Sequence, residues 1–383
     1  MDVLYLDHHS TTPTDERVLE AMLPYFRNHF GNASSGTHQY GWLADEAVQL
    51  ARQQAADLVN AHPSEIVFTS GATESNSLAI LGVAEHYCSN RSGHFITQKT
   101  EHSAVLDTHE ELERRGHRVT YLGVDRVGRI NLDELKDAFT DDTVLVSIMH
   151  ANNEIGTVQP IQSIGEVCRD KRIMLHVDAA QTAGVISLDN KLLDASLISL
   201  SGHKMYGPKG VGALFVRRRG PRVQLKARAF GGGHENGRRS GTLNVPGIVG
   251  FGRAADFALK EYAQRYAGMA ILRERLENGL RKAGVSFEVN GCLADRLPHN
   301  SSLRFKGVVA DDLMRDCRNL ALSASAACAS AEKLPSHVLM AIGLSETEAD
   351  TTVRIGIGKD HTPADIDRAV EILSASISKL QAE

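Results

Sequence analysis

Between Ile66 and Val216 one pattern repeats: a short apolar run, then in most cases a longer stretch with helical spacing. The runs are Ile66-Val67-Phe68, Phe95-Ile96, Val119 to Leu122, Val144 to Ile148, Ile173 to Val177, Leu197 to Leu200 and Gly212 to Val216. Continuous apolar runs this short fit strands buried on both faces, because a buried helix would need about ten residues or more. Parallel strands cannot be joined by a tight turn. Each needs a crossover of about a dozen residues, normally a helix, and Leu106 to Arg115 and Ser163 to Arg169 supply such segments. Ala44 to Asn60 adds a further helix, apolar at Ala44, Ala47, Val48, Ala51, Ala55, Leu58 and Val59. The expected fold class is α/β, a mostly parallel seven-stranded sheet flanked by helices. The last run follows its neighbour after a short glycine-rich turn and is placed to pair antiparallel. From Phe251 to Ala283 a long charged helix replaces the alternation. After it come a strand (Ser301 to Phe305), helices (Asp311 to Cys317 and Ser336 to Ile342), a strand (Thr352 to Ile357) and a closing helix (Pro363 to Leu380). These read as a smaller α+β domain. The expected division is 14–255 for the large domain and 1–13 with 256–383 for the small one.

The 383 residues, 42% of them hydrophobic, suffice for two such cores. The net charge is −5 with no basic block, so direct nucleic-acid binding is not expected. No apolar run approaches the ~20 residues that span a bilayer. The start, Val3-Leu4-Tyr5-Leu6, lacks the charged and long apolar regions of a signal peptide. A cytoplasmic address, away from membranes, is expected. Cysteines stand at 88, 168, 292, 317 and 328, odd in number and without a CxxC pair. That spacing argues against a disulfide framework or a metal site and for a reducing compartment.

The strand Leu197 to Leu200 runs into Ser201-Gly202-His203-Lys204-Met205-Tyr206-Gly207-Pro208-Lys209-Gly210. A lysine between an apolar wall and a glycine-rich turn suits a Schiff base with a carbonyl cofactor, and a surface-loop lysine is the plain alternative. Asp178 closes the strand His176-Val177-Asp178. Lys204 and Asp178 together point to pyridoxal 5'-phosphate (PLP), with a covalent anchor and a partner for the pyridinium nitrogen. Gln181, three residues on, is placed to bond the phenolic oxygen. Thr69 to Asn76 follows a strand and opens a helix. The N–H groups at Ala72 and Thr73, with the Thr73 hydroxyl, would hold a phosphate, unless this is an ordinary capped helix start. His102 follows Phe95-Ile96, and Asn152-Asn153-Glu154-Ile155-Gly156 follows another strand. Ligands of open α/β sheets bind at such ends, so His102 is a candidate to stack on the cofactor and carry protons. The loop from Gly231 to Thr242 is either a connector or a phosphate contact through Thr242, reaching a neighbouring subunit. Cys328 stands in Ser323-Ala324-Ser325-Ala326-Ala327-Cys328-Ala329-Ser330-Ala331. Nothing charged, aromatic or β-branched pins that run in a core, so its thiol is read as the one cysteine free to move. The other four read as buried and inert.

These motifs, with Leu6-Asp7-His8-His9-Ser10-Thr11-Thr12-Pro13, Phe30-Gly31-Asn32, Thr100-Glu101-His102, Arg239-Ser240-Gly241-Thr242 and Pro335 to Leu339, resemble the cysteine desulfurases of the NifS/IscS group. These are PLP-dependent fold-type I enzymes of the class V aminotransferase superfamily. The resemblance covers nearly the whole chain. It implies a homodimer that takes sulfur from L-cysteine, releases alanine and leaves a persulfide on Cys328. It makes Lys204 the Schiff-base lysine, His102 the ring-stacking acid/base and Asp178 the pyridinium partner. Thr73, Ser201 and His203 become phosphate contacts, with Thr242 supplied across the dimer. Asn153 and Gln181 match cofactor or substrate contacts, and Arg354 matches the arginine for the substrate carboxylate. The acceptor of the sulfur would be an iron–sulfur scaffold or a thiolation enzyme. Selenocysteine lyase, or another PLP reaction on the same scaffold, is the alternative activity. A non-enzymatic subunit that keeps only the fold is the other alternative. The chain departs from the family's more usual Ser-Gly-Ser-Ala-Cys by reading Ala324-Ser325-Ala326-Ala327-Cys328, so the usual glycine is missing. It also ends at Glu383, where housekeeping members carry a further tail.

Overall fold

A computed structural model describes residues 3–324 and 335–382. The chain opens with the short strand β1 (Leu4–Tyr5). A central sheet follows, built from β2 (Ile66–Thr69), β3 (His94–Gln98), β4 (Arg118–Leu122), β5 (Thr143–Met149), β6 (Met174–Asp178), β7 (Leu197–Ser201) and β8 (Gly212–Val216). Its order is β2-β8-β7-β6-β5-β3-β4. All seven apolar runs of the sequence are therefore strands of one sheet. From β7 through β4 neighbouring strands are parallel, while β8 is antiparallel to both β7 and β2. The antiparallel step falls at the glycine-rich turn between β7 and β8, which is too short for a crossover helix.

Helices cover both faces. On one, Val48, Ala51 and Ala55 of helix Gln39–Leu58 meet Ile248, Phe251 and Ala255 of helix Val245–Lys282 against Phe68, Ile148 and Ile198. On the other, Leu78, Ile80 and Val83 of helix Ala72–Tyr87 join Val105 and Leu112 of helix Ser103–Arg114 against Phe95, Leu145 and Leu214. The first two helices pack closely because small residues face each other. A side chain on Gly252 would stand 2.5 Å from the Ala51 Cα.

A second core lies beyond. Strands β9 (Glu288–Val289), β10 (Asn300–Arg304), β11 (Leu320–Ala321), β12 (Ser323–Ala324) and β13 (Thr352–Gly356) follow in sequence. Four form an antiparallel sheet in the order β12-β13-β10-β9, and β11 pairs in parallel with β1. Helices Val245–Lys282 and Pro363–Ala382 pack here through Leu276, Leu280, Ile366 and Leu373, with Leu4 and Leu6 from the start of the chain. The 38-residue helix thus has its early turns in one core and its late turns in the other. It begins six residues before the expected Phe251. Asn244 accepts a hydrogen bond from the Gly247 N–H, and a proline sits in the first turn, both recognised helix-start signals. Among the described residues no helix is long and apolar enough to cross a membrane.

Candidate active site

The parallel strands β3, β5, β6 and β7 all end on one side of the sheet. The strand order turns back between β3 and β5, since β4 lies outward of β3 while β6 continues from β5. The crevice at such a reversal is the usual ligand site of an open α/β sheet. A cavity of 580 Å³ opens there, within the range of small-molecule sites. Ala72, Thr73, His102, Asn153, Asp178, Gln181, Ser201, His203 and Lys204 all line it. Nine of the expected positions, scattered over more than 130 residues of sequence, meet in one place.

One wall is the start of helix Ala72–Tyr87. Gly71 precedes it at φ 155°, a backbone that disfavours a side chain, and no side chain caps the first turn. The ordinary capped start is therefore not what forms. Thr69 Oγ instead bonds the Gly71 carbonyl at 3.1 Å and the Ser75 hydroxyl at 2.8 Å. Uncapped N–H groups at a helix N-terminus, with Thr73, Ser201 and His203 on the same cavity, make a cradle for an anion. Glu74 steadies this turn by accepting from the Ser70 N–H at 2.7 Å and from Arg239 at 2.9 Å.

Asp178 stands at the end of β6, its main chain held by the His150 N–H at 2.8 Å. Its carboxylate accepts from the Ala180 N–H at 2.9 Å and from Asn76 Nδ2 at 2.7 Å. Asn76 was missed in the sequence, although it lies one turn beyond Ala72 on the same helix face. His102 caps the helix that follows it, its Nδ1 accepting from the Ala104 N–H at 3.1 Å. That places the ring proton on Nε2, and burial holds the imidazole below its ordinary pKa, against the pull of Asp178.

Lys204 sits in a short turn after β7. Its Nζ donates to the Ser10 carbonyl at 2.9 Å and to the His9 carbonyl. Burial, then the charge of Arg354, push its pKa down to about 8, with Asp7 and Asp178 opposing. A lysine so depressed has a substantial neutral, nucleophilic fraction near neutral pH. His203, lowered to about 4 by burial and by Lys204 and Lys209, bonds the Thr11 hydroxyl at 3.0 Å.

Arg354 belongs to β13 and approaches from the other core. It does not line the cavity but backs it, donating to Ser10 Oγ at 2.7 Å, to Asp7 at 2.8 Å and to the Asn153 carbonyl at 3.2 Å. Its Nε is buried without a partner. Thr242 is exposed and lies outside this cavity in the single chain. Cys328 lies outside the described residues. Among the other cysteines, Cys88, Cys168 and Cys317 are buried as expected, whereas Cys292 is only partly buried. Burial raises the three buried thiols, that of Cys168 to about 12, so they are poor nucleophiles. Among the described residues no cluster of His, Cys, Asp and Glu is arranged to hold a metal ion.

The residues present fit PLP: a lysine with a lowered pKa, a carboxylate held in place, and an uncapped helix start share one cavity. The family model described as aminotransferase class-V matches residues 4–369. A cysteine desulfurase IscS of Anaeromyxobacter sp. (strain Fw109-5) is 50% identical over 378 residues, 99% of this chain and 93% of its own. One of Colwellia psychrerythraea is 50% identical over 381 residues, with the same coverage. Among solved structures, a NifS-like protein superimposes with a TM-score of 0.91 at 36% identity, over 98% of this chain and all of its own. A structure described as SspA in complex with cysteine gives 0.82 at 38% identity, over 94% of this chain and all of its own. With a family match across nearly its whole length and that cavity beneath it, the chain belongs to the class-V aminotransferase family of PLP-dependent enzymes.

Proposed function

We propose that the chain is a PLP-dependent cysteine desulfurase that converts L-cysteine to L-alanine and passes the sulfur on through a persulfide on Cys328. The observation that carries the reading is the meeting of Lys204, Asp178 and His102 on one cavity, backed by Arg354. Relatives at half identity that bear the desulfurase name support it. PLP, when bound, supplies an electron sink for the bond pair released beside the substrate nitrogen. Lys204 would anchor the cofactor, and its lowered pKa would leave its amine able to take the substrate's α-proton near neutral pH. Asp178, fixed by Asn76, would hold a proton on the ring nitrogen. Ala72, Thr73, Ser201 and His203 hold the phosphate. Arg354 orients the substrate carboxylate, with Asn153 beside it. His102 carries its proton on Nε2, the nitrogen not engaged by Ala104. The Cys328 thiolate takes the substrate sulfur, and the carbon left behind gains a proton to become alanine.

A homodimer fits the exposure of the large apolar side chains Phe26, Phe30, Tyr40 and Trp42 near the start of the chain. Thr242, exposed here, would complete the phosphate site of the partner. The sulfur acceptor is a second protein, an iron–sulfur scaffold or a thiolation enzyme, and the setting is the cytoplasm. The division into 14–255 and 1–13 with 256–383 is the domain assignment proposed with this reading.

The test is to supply L-cysteine with a reductant and no keto acid, then measure alanine and sulfide. Mass spectrometry after one turnover should find added sulfur on the Cys328 peptide. Alanine release at the parental rate from Cys328→Ser would overturn the role of that thiol. A requirement for a keto acid would make the enzyme a transaminase.

A further inference from the structure

Two main-chain carbonyls determine how a chain of three side chains beside Lys204 is wired. The His9 carbonyl can only accept, so the Gln181 atom 3.1 Å away is the amide nitrogen. The other end of that amide, Oε1, then faces His9 Nδ1 at 3.1 Å, and Nδ1 must donate. In a neutral ring Nε2 is left to accept. The atom 3.2 Å from it is Asn300 Nδ2, whose identity is fixed in turn by the Glu154 carbonyl at 3.1 Å. The His9 ring is fully enclosed and stacks on His299 at 4.2 Å. Burial, His299, Arg354 and Lys204 all hold it neutral, opposed by the Gln181 bond.

We infer that His9 is a positioning residue that locks Gln181 with its amide N–H, rather than its carbonyl, turned toward the cavity. Gln181 has its oxygen and one Nε2 proton engaged on His9, which leaves the second Nε2 proton for a ligand on the cavity it lines. An amide free to turn would present either end, and the carbonyl would repel an anionic oxygen. Asn300 acts one step further back by fixing the tautomer of His9. This inference rests on the reading of Gln181 as the partner of the cofactor's phenolic oxygen.

A donor on that oxygen withdraws negative charge and weakens its hold on a neighbouring proton. The pH midpoint of the visible absorbance of the lysine-linked cofactor therefore reports the orientation of Gln181, independently of turnover. In the holoenzyme, Gln181→Ala should raise this midpoint by ~0.5–1 pH unit, and His9→Ala, which keeps the main-chain carbonyl but leaves the Gln181 oxygen without its donor, should raise it by part of that amount. His9→Asn, which can place an amide N–H near the position of Nδ1, should restore the parental midpoint. Adding His9→Ala to Gln181→Ala should give no further shift, because His9 acts through Gln181. A parental midpoint in His9→Ala, beside a shifted one in Gln181→Ala, would overturn the inference, as would additive shifts in the double variant. If His9→Ala does not fold, a shifted midpoint in a folded His9→Asn also overturns it. Absence of any visible absorbance in the parent protein would instead overturn the cofactor reading beneath it.

Discussion

In the cofactor-free protein Lys204 is a stability liability whose size depends on pH. Its pKa falls from the ordinary lysine value of 10.5 to about 8, chiefly through burial and then through Arg354. At ~1.4 kcal/mol per pH unit, that drop destabilises the folded state by ~3 kcal/mol wherever the lysine is protonated in both states. The folded pKa lies below the unfolded one, so the unfolded chain holds more protons between these values and stability rises with pH. The full penalty is present below about pH 8 and is lost as pH rises to about 10.5. Lys204→Met removes the titration and keeps a side chain of similar length. Urea unfolding of both cofactor-free proteins, at pH values from about 7 to 10, measures the difference. The gap in favour of the variant should narrow by ~2 kcal/mol over that range. Lost hydrogen bonds to the His9 and Ser10 carbonyls subtract ~1–2 kcal/mol, an amount that changes little with pH. The slope is therefore the diagnostic quantity. A gap that stayed constant, or widened with pH, would refute the assignment of Lys204 as a lysine held uncomfortably in its charged form.

Asp178→Asn should still bind PLP, because the phosphate cradle is untouched, but lose ~100-fold or more in kcat, corresponding to ~2.7 kcal/mol of lost stabilisation. Steady-state desulfuration within a few-fold of the parent would contradict the ring-nitrogen role. Arg354→Lys should raise KM for cysteine by ~10-fold or more while cofactor affinity changes little, because an ammonium cannot reproduce the planar fork. Equal loss of both affinities would place Arg354 in a structural role, holding Asp7, Ser10 and Asn153 together.

The central sheet was legible because its strands are buried on both faces. Val67, Phe95, Leu145 and Leu214 face one core, while their neighbours Phe68, Ile96, Val146 and Phe215 face the other. Burial on both sides leaves a continuous apolar run, the strongest strand signal a sequence offers. The two-residue strands β9, β11 and β12 gave no such signal, since two residues cannot display a period. The site was legible where a residue type carries the chemistry: a lysine in a glycine-rich turn, an acid ending a strand, a hydroxyl at a helix start. Asn76 carried no such mark. Its role depends on meeting Asp178, 102 positions later, across the gap between a helix and β6.

The least legible part of the site is the stretch from Asp7 to Thr12, and the reason is chemical. Asp7 and the Ser10 hydroxyl hold Arg354, Thr11 holds His203, and Thr12 accepts from the Tyr206 N–H. The contacts nearest Lys204, however, are carbonyls: His9 and Ser10 for Lys204 itself, and His9 for Gln181. Every residue carries a carbonyl, so no choice of side chain advertises this use of it. The backbone path puts it there. β1 pairs with β11, and Asp7 bridges to Gly356 at the end of β13, so the segment is pinned to the second core as it crosses the mouth of the first. Arg354 lies on that same β13. A shift of β13 against the central sheet would therefore move Arg354 and the acceptors of Lys204 together, so one strand ties the proposed carboxylate contact to the proposed cofactor lysine.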